Sequence, residues 1–486
     1  MNSLKQKTVS GLLWSIIDNL AKYGLQFIVG IILARLLSPT EFGLVGMITI
    51  FISISNSLVD SGFSQALIRK NNAEAKDFST VFIFNLAFSI IVFCLLFLSA
   101  NAIGSFFEQP KLVLLVRVFA INIIINAFAL VQRTKLTKDL DFKTQTKISL
   151  LSGSISGLLA IVLAYNGAGV WSLVAKTTIF NILTVLLLWY LSKWKPQLVF
   201  SSQSFKELFS FGSKMVAAGL LDTLYRNVYY VVIGKYFTPA ELGFYTRAEQ
   251  FNNLPSSNLT TVIQRVSYPA LSQLQDDKVR LKQGYKKVIT STMFVSFISM
   301  LGMAAIAEPM ILTLIGEKWE QSIAYLQLLC FVGMLYPLHG INLNMLKVQG
   351  RSDLFLKLEI IKKLIAIPTI VIGIFWGIKI IIIGMIVNSI IAYFLNSYWS
   401  GKLINYSMRE QILDITPSFL LAIIMAIIVY FIGSLLPFSN FYILIIQIIT
   451  GGIIVFSFCE LTKMNAYIYI KDTVKSKLKN SRNGER

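Results

Sequence analysis

Apolar runs of about 20 residues recur along the whole chain, separated by short polar segments. A helix of about that length crosses the roughly 30 Å of hydrocarbon in a bilayer, so each run predicts a transmembrane helix. We therefore predict an all-α integral membrane protein with about 14 transmembrane helices. Their expected bounds are 11–36, 43–67, 78–102, 112–132, 148–166, 168–191, 210–234, 242–270, 288–307, 322–346, 358–376, 378–400, 415–436 and 440–460.

The eighth run is the weakest of these predictions because polar residues interrupt it. Leu242–Ala270 contains Arg247, Glu249 and Arg265. A charged side chain costs roughly 2.5–3.5 kcal/mol at the centre of a membrane helix, so contact with lipid is disfavoured. We expect this helix to face protein or a water-filled cavity.

Lys and Arg residues are concentrated in every second segment that connects two predicted spans. Of the 44 Lys and Arg residues, 32 lie on every second connection or on the two termini, whereas five lie on the opposite connections. Basic residues concentrate on the cytoplasmic side of membrane proteins. The bias predicts an even number of spans with both termini in the cytoplasm.

Composition excludes the other broad classes of protein. The chain is 55% hydrophobic and 14% charged, with a mean hydropathy of +0.68, which no water-soluble or disordered chain of this length matches. Its net charge of +20 lies mostly on the predicted cytoplasmic connections, so we predict no nucleic-acid partner. The three cysteines stand far apart in apolar runs, and we predict packing roles for them and no metal site.

A nine-residue segment occurs twice, 200 positions apart. Arg35–Gly43 reads RLLSPTEFG and Lys235–Gly243 reads KYFTPAELG, and each follows one predicted helix and opens the next. A looser sequence similarity relates Asp139–Lys143 to Asp353–Lys357. Because both pairs are an even number of helices apart, we predict two six-helix lobes in a parallel repeat. The expected divisions are 1–200, 201–405, two further helices in 406–462, and a basic cytoplasmic tail in 463–486.

Charged residues inside the predicted spans are the candidate functional residues. Aspartate and a base stand four apart, hence on one face, in the first helix of each lobe. Glu249 has no base three or four positions away, and Asp60 lies deep in the second span. We predict an anion-binding set of Lys22, Arg226, Arg247, Arg265 and Lys176, and a coupling or charge-balancing set of Asp18, Asp60, Asp222 and Glu249.

Simpler structural roles compete with these assignments. On that interpretation, the aspartate and the base of each pair neutralise each other's charge and stabilise the packing of their helix. His339, the single histidine, is expected to be a hydrogen-bonded packing residue. Pro255, Pro269 and Pro337 are expected to bend their helices.

Three segments resemble the polysaccharide exporters of the Wzx flippase type, which belong to the multidrug/oligosaccharidyl-lipid/polysaccharide exporter superfamily. They are Ala34–Gly43, Val131–Lys143 and Gly167–Val174. The resemblance implies two six-helix bundles that move a lipid-diphosphate-linked oligosaccharide across the bacterial cytoplasmic membrane by alternating access. It also implies contacts with membrane lipids, and with polysaccharide polymerase and glycosyltransferases. No cofactor is expected, although coupling to a proton or sodium gradient stays open.

Two other functions stay open on the sequence alone. An ion-coupled drug or cation antiporter of the same superfamily is one, and an acidic or aromatic cavity would favour it. A membrane glycosyltransferase or polymerase is the other. The latter needs paired acids or a metal site on an outer loop, and the predicted outer loops are short.

Overall fold

A computed structural model describes residues 22–472 except 61, 71 and 193, together with residue 475; the side chains at 214, 217, 218, 222, 265, 266 and 352 are also outside the described set. Every regular element within these residues is a helix. The chain forms two compact units, Met1–Gly243 and Phe244–Arg486. The predicted all-α class is confirmed.

The first unit contains eight helices and the start of a ninth. They are 22–36 (α1), Pro39–Asp60 (α2), Phe63–Arg69 (α3), Ala75–Phe106 (α4), Lys111–Lys138 (α5), Phe142–Tyr165 (α6), Val170–Leu191 (α7), Ser202–Tyr236 (α8) and Pro239–Ser272 (α9). The antiparallel neighbours α4 and α5, and α6 and α7, pack as helical hairpins, while α8 packs along α2.

The second unit contains the rest of α9 and the remaining helices. They are Lys278–Ala305 (α10), Ala307–Leu314 (α11), a 3₁₀ turn at Glu317–Trp319, Gln321–Gly333 (α12), Tyr336–Val348 (α13), Ser352–Trp376 (α14), Ile378–Ile404 (α15), Met408–Leu435 (α16), Asn440–Thr462 (α17) and 465–472 (α18). Helix α10 packs on α16, and α14 packs on α15.

Each predicted apolar run coincides with one helix or with two consecutive helices over the described residues. Ten spans are long and apolar enough to cross a membrane. The other four runs correspond to α8, α9, α14 and the described part of α1, which do not meet that criterion. The chain is therefore a multi-pass membrane protein, and the count of fourteen spans stays a prediction.

Prolines act differently in the eighth and tenth runs. Pro255 and Pro269 lie inside the unbroken helix α9. The tenth run is broken into α12 and α13, and Pro337 occupies the first turn of α13, where its missing N–H is not needed.

The repeated segments build the same helix start twice. In the first copy, Glu41 Oε2 accepts hydrogen bonds from the backbone N–H of Ser38 at 2.6 Å and from its hydroxyl at 3.0 Å. In the second copy, Glu241 Oε2 accepts from the backbone N–H and the hydroxyl of Thr238, each at 2.9 Å. In both copies the glutamate thus accepts from the residue that precedes the helix, whose backbone N–H has no partner within the helix.

The two repeated segments also contact each other within the first unit. A methyl group on Gly43 would overlap the carbonyl oxygen of Pro239, and one on Gly243 would overlap the carbonyl oxygen of Pro39. The starts of α2 and α9 therefore cross backbone to backbone, and only glycine leaves room for that approach. Nearby, Lys235 donates to Glu108 at 2.7 Å in the turn between α4 and α5.

We expect Gly43→Ala to lower the melting temperature of the purified protein, because an added methyl group must push α2 and α9 apart. Overpacking of this kind costs about 1–3 kcal/mol. Gly452→Ala is the matched control, since a methyl group there meets no atom within 4 Å. It should leave the melting temperature equal or slightly higher. Equal melting temperatures for Gly43→Ala and the wild type, measured by a thermal shift in detergent, would contradict the close crossing.

A polar seam in the membrane

Two helices of the first unit, α5 and α7, share a hydrogen-bonded cluster near their centres. Asn122, from the middle of α5, donates to the hydroxyl of Thr178 at 3.0 Å, and Asn181 donates to Asn122 Oδ1 at 3.0 Å. Thr178 and Asn181 lie on α7, about one turn apart. Asn122 is 1% exposed, whereas both α7 residues are half-buried. The cluster thus reaches from the helix interface to an accessible surface.

The cluster continues along the same unit through α2 to α8. Asn126, one turn from Asn122, donates to Asn56 Oδ1 at 3.5 Å. The hydroxyls of Ser57 and Thr223 share a hydrogen bond of 3.3 Å between α2 and α8. We call these seven residues the polar seam: Asn56, Ser57, Asn122, Asn126, Thr178, Asn181 and Thr223.

The position of the polar seam restricts what it faces. Asn122 and Asn181 lie near the middle of spans of 28 and 22 residues, where the surrounding solvent is hydrocarbon. Amide and hydroxyl groups in hydrocarbon are costly unless hydrogen-bonded, so half-buried ones face protein or water rather than lipid. We therefore expect the accessible side of the polar seam to face water or protein rather than lipid.

Two of the predicted anion-binding residues lie on helices that contribute to the polar seam. Lys176 is half-buried and precedes Thr178 by two residues on α7; Arg226 is exposed and follows Thr223 by three residues on α8. Lys22, on α1, is half-buried in the same unit. All three engage other groups in the structure. The first unit thus carries Lys22, Lys176 and Arg226.

Among the predicted acids of this unit, the structure describes the side chain of one. Asp60 Oδ1 accepts a hydrogen bond from the backbone N–H of Ser64 at 3.2 Å, so it satisfies a backbone donor in the first turn of the short helix α3. Asp18 lies outside the described residues, as does the side chain of Asp222. Their predicted pairing with Lys22 and Arg226 stays a prediction.

The second unit holds the other predicted charges in a different setting. Arg247 is 8% exposed, donates to Gln250, and stacks over the ring of the fully buried Trp319 at 5.8 Å from its centroid. Glu249 is half-buried and engages another group in the structure, and its predicted coupling role stays a prediction. The side chain of Arg265 lies outside the described residues.

His339 has the packing role expected from the sequence. Its Nε2 lies 2.9 Å from the hydroxyl of Ser389, between α13 and α15. A second polar cluster lies in the same unit, where Tyr285 and Ser400 both donate to Asn342 Oδ1, at 2.7 Å and 2.5 Å. All three residues of that cluster are fully buried, which indicates a role in packing.

The family of the chain follows from comparison with known proteins. The model of a family described as "Polysaccharide biosynthesis protein" matches residues 32–324, more than half of the chain. The chain belongs to this polysaccharide biosynthesis family. One relative is the lipopolysaccharide biosynthesis protein WzxC of Escherichia coli (strain K12), 27% identical over 451 residues and covering 89% of each chain.

Solved structures show that this family member has the fold of a known transporter superfamily. The lipid II flippase MurJ in an inward closed conformation superposes with a TM-score of 0.76 at 16% identity, covering 95% of this chain and all of its own. A multidrug resistance MATE family transporter of the MOP superfamily superposes with a TM-score of 0.63 at 17% identity, covering 81% and 98%. The resemblance stated from the sequence is confirmed.

Asp60 offers a direct test of its hydrogen bond to α3 against proton coupling. We expect Asp60→Asn to keep the transport activity and melting temperature of the wild type, because an asparagine oxygen accepts the same bond from Ser64. Asp60→Ala removes the acceptor and should cost about 1 kcal/mol of stability. The measurements are thermal shift and export of surface polysaccharide at matched protein levels. Loss of export in Asp60→Asn with normal stability would instead support the predicted coupling role.

Proposed function

We propose that this protein is a flippase that translocates a lipid-diphosphate-linked oligosaccharide across the cytoplasmic membrane for surface polysaccharide assembly. The observation that carries the proposal is the match to the polysaccharide biosynthesis family over residues 32–324. The chain to which it applies is a multi-pass helical protein with the fold of a lipid II flippase. On this proposal the lipids of the bilayer and the enzymes that assemble and polymerise the glycan are its partners.

The chemistry of such a substrate fits the charges of the first unit. Two phosphates and a sugar head cannot cross hydrocarbon unaided, whereas the lipid tail can stay in it. A guanidinium group binds phosphate oxygens through paired N–H donors, and an ammonium group adds a compact charge. We assign Arg226 and Lys176 to the diphosphate, with Lys22, Arg247 and Arg265 as further members of the proposed set.

The repeated segments supply a candidate element for alternating access. The predicted lobes 1–200 and 201–405 place α2 in one lobe and the start of α9 in the other. The crossing at Gly43 and Gly243, together with the ion pair between Lys235 and Glu108, then joins the proposed lobes at the ends of these helices. Rocking of one lobe against the other requires this junction to open and close.

The alternative function as a drug or cation antiporter receives less support. The fold does not discriminate between an antiporter and a flippase, because a MATE transporter and a lipid II flippase both superpose on this chain. Family membership does discriminate, since the matching family is one of polysaccharide biosynthesis. An enzymatic function is disfavoured as well, because both of these superposed structures are transporters.

We expect Arg226→Ala to reduce export of the surface polysaccharide, and binding of polyprenyl diphosphate, by about tenfold or more, because hydrogen bonds to charged groups contribute about 1.5–3 kcal/mol. Arg226→Lys should retain an intermediate activity. Lys206→Ala, at an exposed position on the same helix, is the control and should behave as wild type. Export and binding unchanged in Arg226→Ala at equal membrane levels would overturn the assignment to the diphosphate. Arg247 is a poorer probe, because its loss also removes packing against Trp319.

The proposed orientation, with both termini in the cytoplasm, has its own test. In a Cys94→Ser background, a membrane-impermeant maleimide applied to intact cells should label Glu317→Cys and should not label Lys278→Cys. Both side chains are exposed, so accessibility to the reagent differs only by the side of the membrane. The reverse labelling pattern would invert the topology predicted from the basic residues.

A further inference from the structure

The polar seam has hydrogen-bonding capacity that the protein itself does not use. Within the described part of the chain, the side-chain oxygens of Asn126 and Asn181 accept no hydrogen bond, and the hydroxyl of Thr178 donates none. The side-chain amide of Asn56 donates none among these residues either. All four side chains are half-buried, so these groups are accessible. In mid-membrane such groups require water or a polar ligand.

The mixture of donors and acceptors indicates the class of ligand. A phosphate offers acceptor oxygens and selects a site made of donors, and a metal cation selects a site made of oxygens. The polar seam offers amide N–H and hydroxyl donors beside amide oxygens. Sugar hydroxyls both donate and accept, so they complement a surface of this kind.

The layout of the polar seam agrees with the same ligand. It includes residues of α7, α5, α2 and α8, and two of these helices, α7 and α8, also carry the cations Lys176 and Arg226. A ligand with a charged diphosphate and a neutral polyhydroxyl part would find both types of group on one unit of the protein. The buried member, Asn122, holds Thr178 and Asn181 in position through its two hydrogen bonds.

We infer that the polar seam is the surface that binds the sugar part of the transported lipid, with Thr178 and Asn181 in direct contact and Asn122 as their positioning residue. This inference rests on the proposed flippase function. The seam accordingly determines which glycan is accepted, whereas the cations bind the diphosphate that every such lipid carries.

The double variant Thr178→Val/Asn181→Leu tests this division. The probes are the lipid-linked glycan that accumulates in cells lacking the protein and polyprenyl diphosphate without sugar. We expect the double variant to bind the glycosylated lipid about tenfold more weakly, equivalent to about 1.4 kcal/mol, and to bind the sugar-free lipid as the wild type does. Thr184→Val is the matched control on the same helix, because Thr184 is buried and its hydroxyl makes no hydrogen bond in the described chain.

The outcomes separate the two proposals. If cells lacking the protein accumulate no lipid-linked glycan, or the wild type binds neither probe, the flippase function itself fails. If the wild type binds both probes and the double variant binds both equally well, the sugar-binding inference fails while the flippase function stands. Equal losses for both probes would show a general defect of the unit and would also overturn the inference.

Discussion

The constraint on which the rest of the structure depends is that no backbone polar group can be left unpaired in hydrocarbon. It explains why every described regular element is a helix, because a helix satisfies its own backbone. It also explains why side chains form hydrogen bonds with the free backbone groups at helix ends. Lys138 donates to the carbonyls of Leu67, at 2.8 Å, and Lys70 at the end of α3. A basic residue of a predicted cytoplasmic connection therefore satisfies backbone carbonyls at a helix end.

The same constraint made most of the fold predictable from the sequence. A run of 20 apolar residues is a strong local signal, so each predicted run has its helix, including the polar α9. The breaks were not predictable to the same degree. The tenth run divides at Met334 and Leu335, and a short helix, α11, lies between the ninth and tenth runs. These features depend on packing against other helices rather than on local hydropathy.

The candidate site was predicted only for its charged members. Charges inside an apolar run are conspicuous, whereas Asn122, Thr178 and Asn181 hardly lower its hydropathy. Their partners are also 56 and 59 residues apart along the chain, a distance over which no periodicity can relate them. One signal was available, since Asn122 and Asn126 stand four apart on one face of an otherwise apolar helix. The sequence also did not predict the burial of the Arg247 side chain, because that burial depends on the position of Trp319.

The repeated segment shows why a motif can recur without binding substrate. Its proline and glutamate start a helix, and its glycine leaves room for another backbone, so the Pro, Glu and Gly that both copies share each have a structural cause. On the proposed function, we therefore expect substrate recognition by residues outside the repeat. A diphosphate presents the same charge on every lipid carrier, so cations alone cannot distinguish glycans. Discrimination requires neutral groups of fixed geometry, because a directional hydrogen bond depends on where each hydroxyl lies whereas a charge attracts over several ångströms. A hydrogen-bonded seam on helices that also carry two cations combines these requirements in one unit.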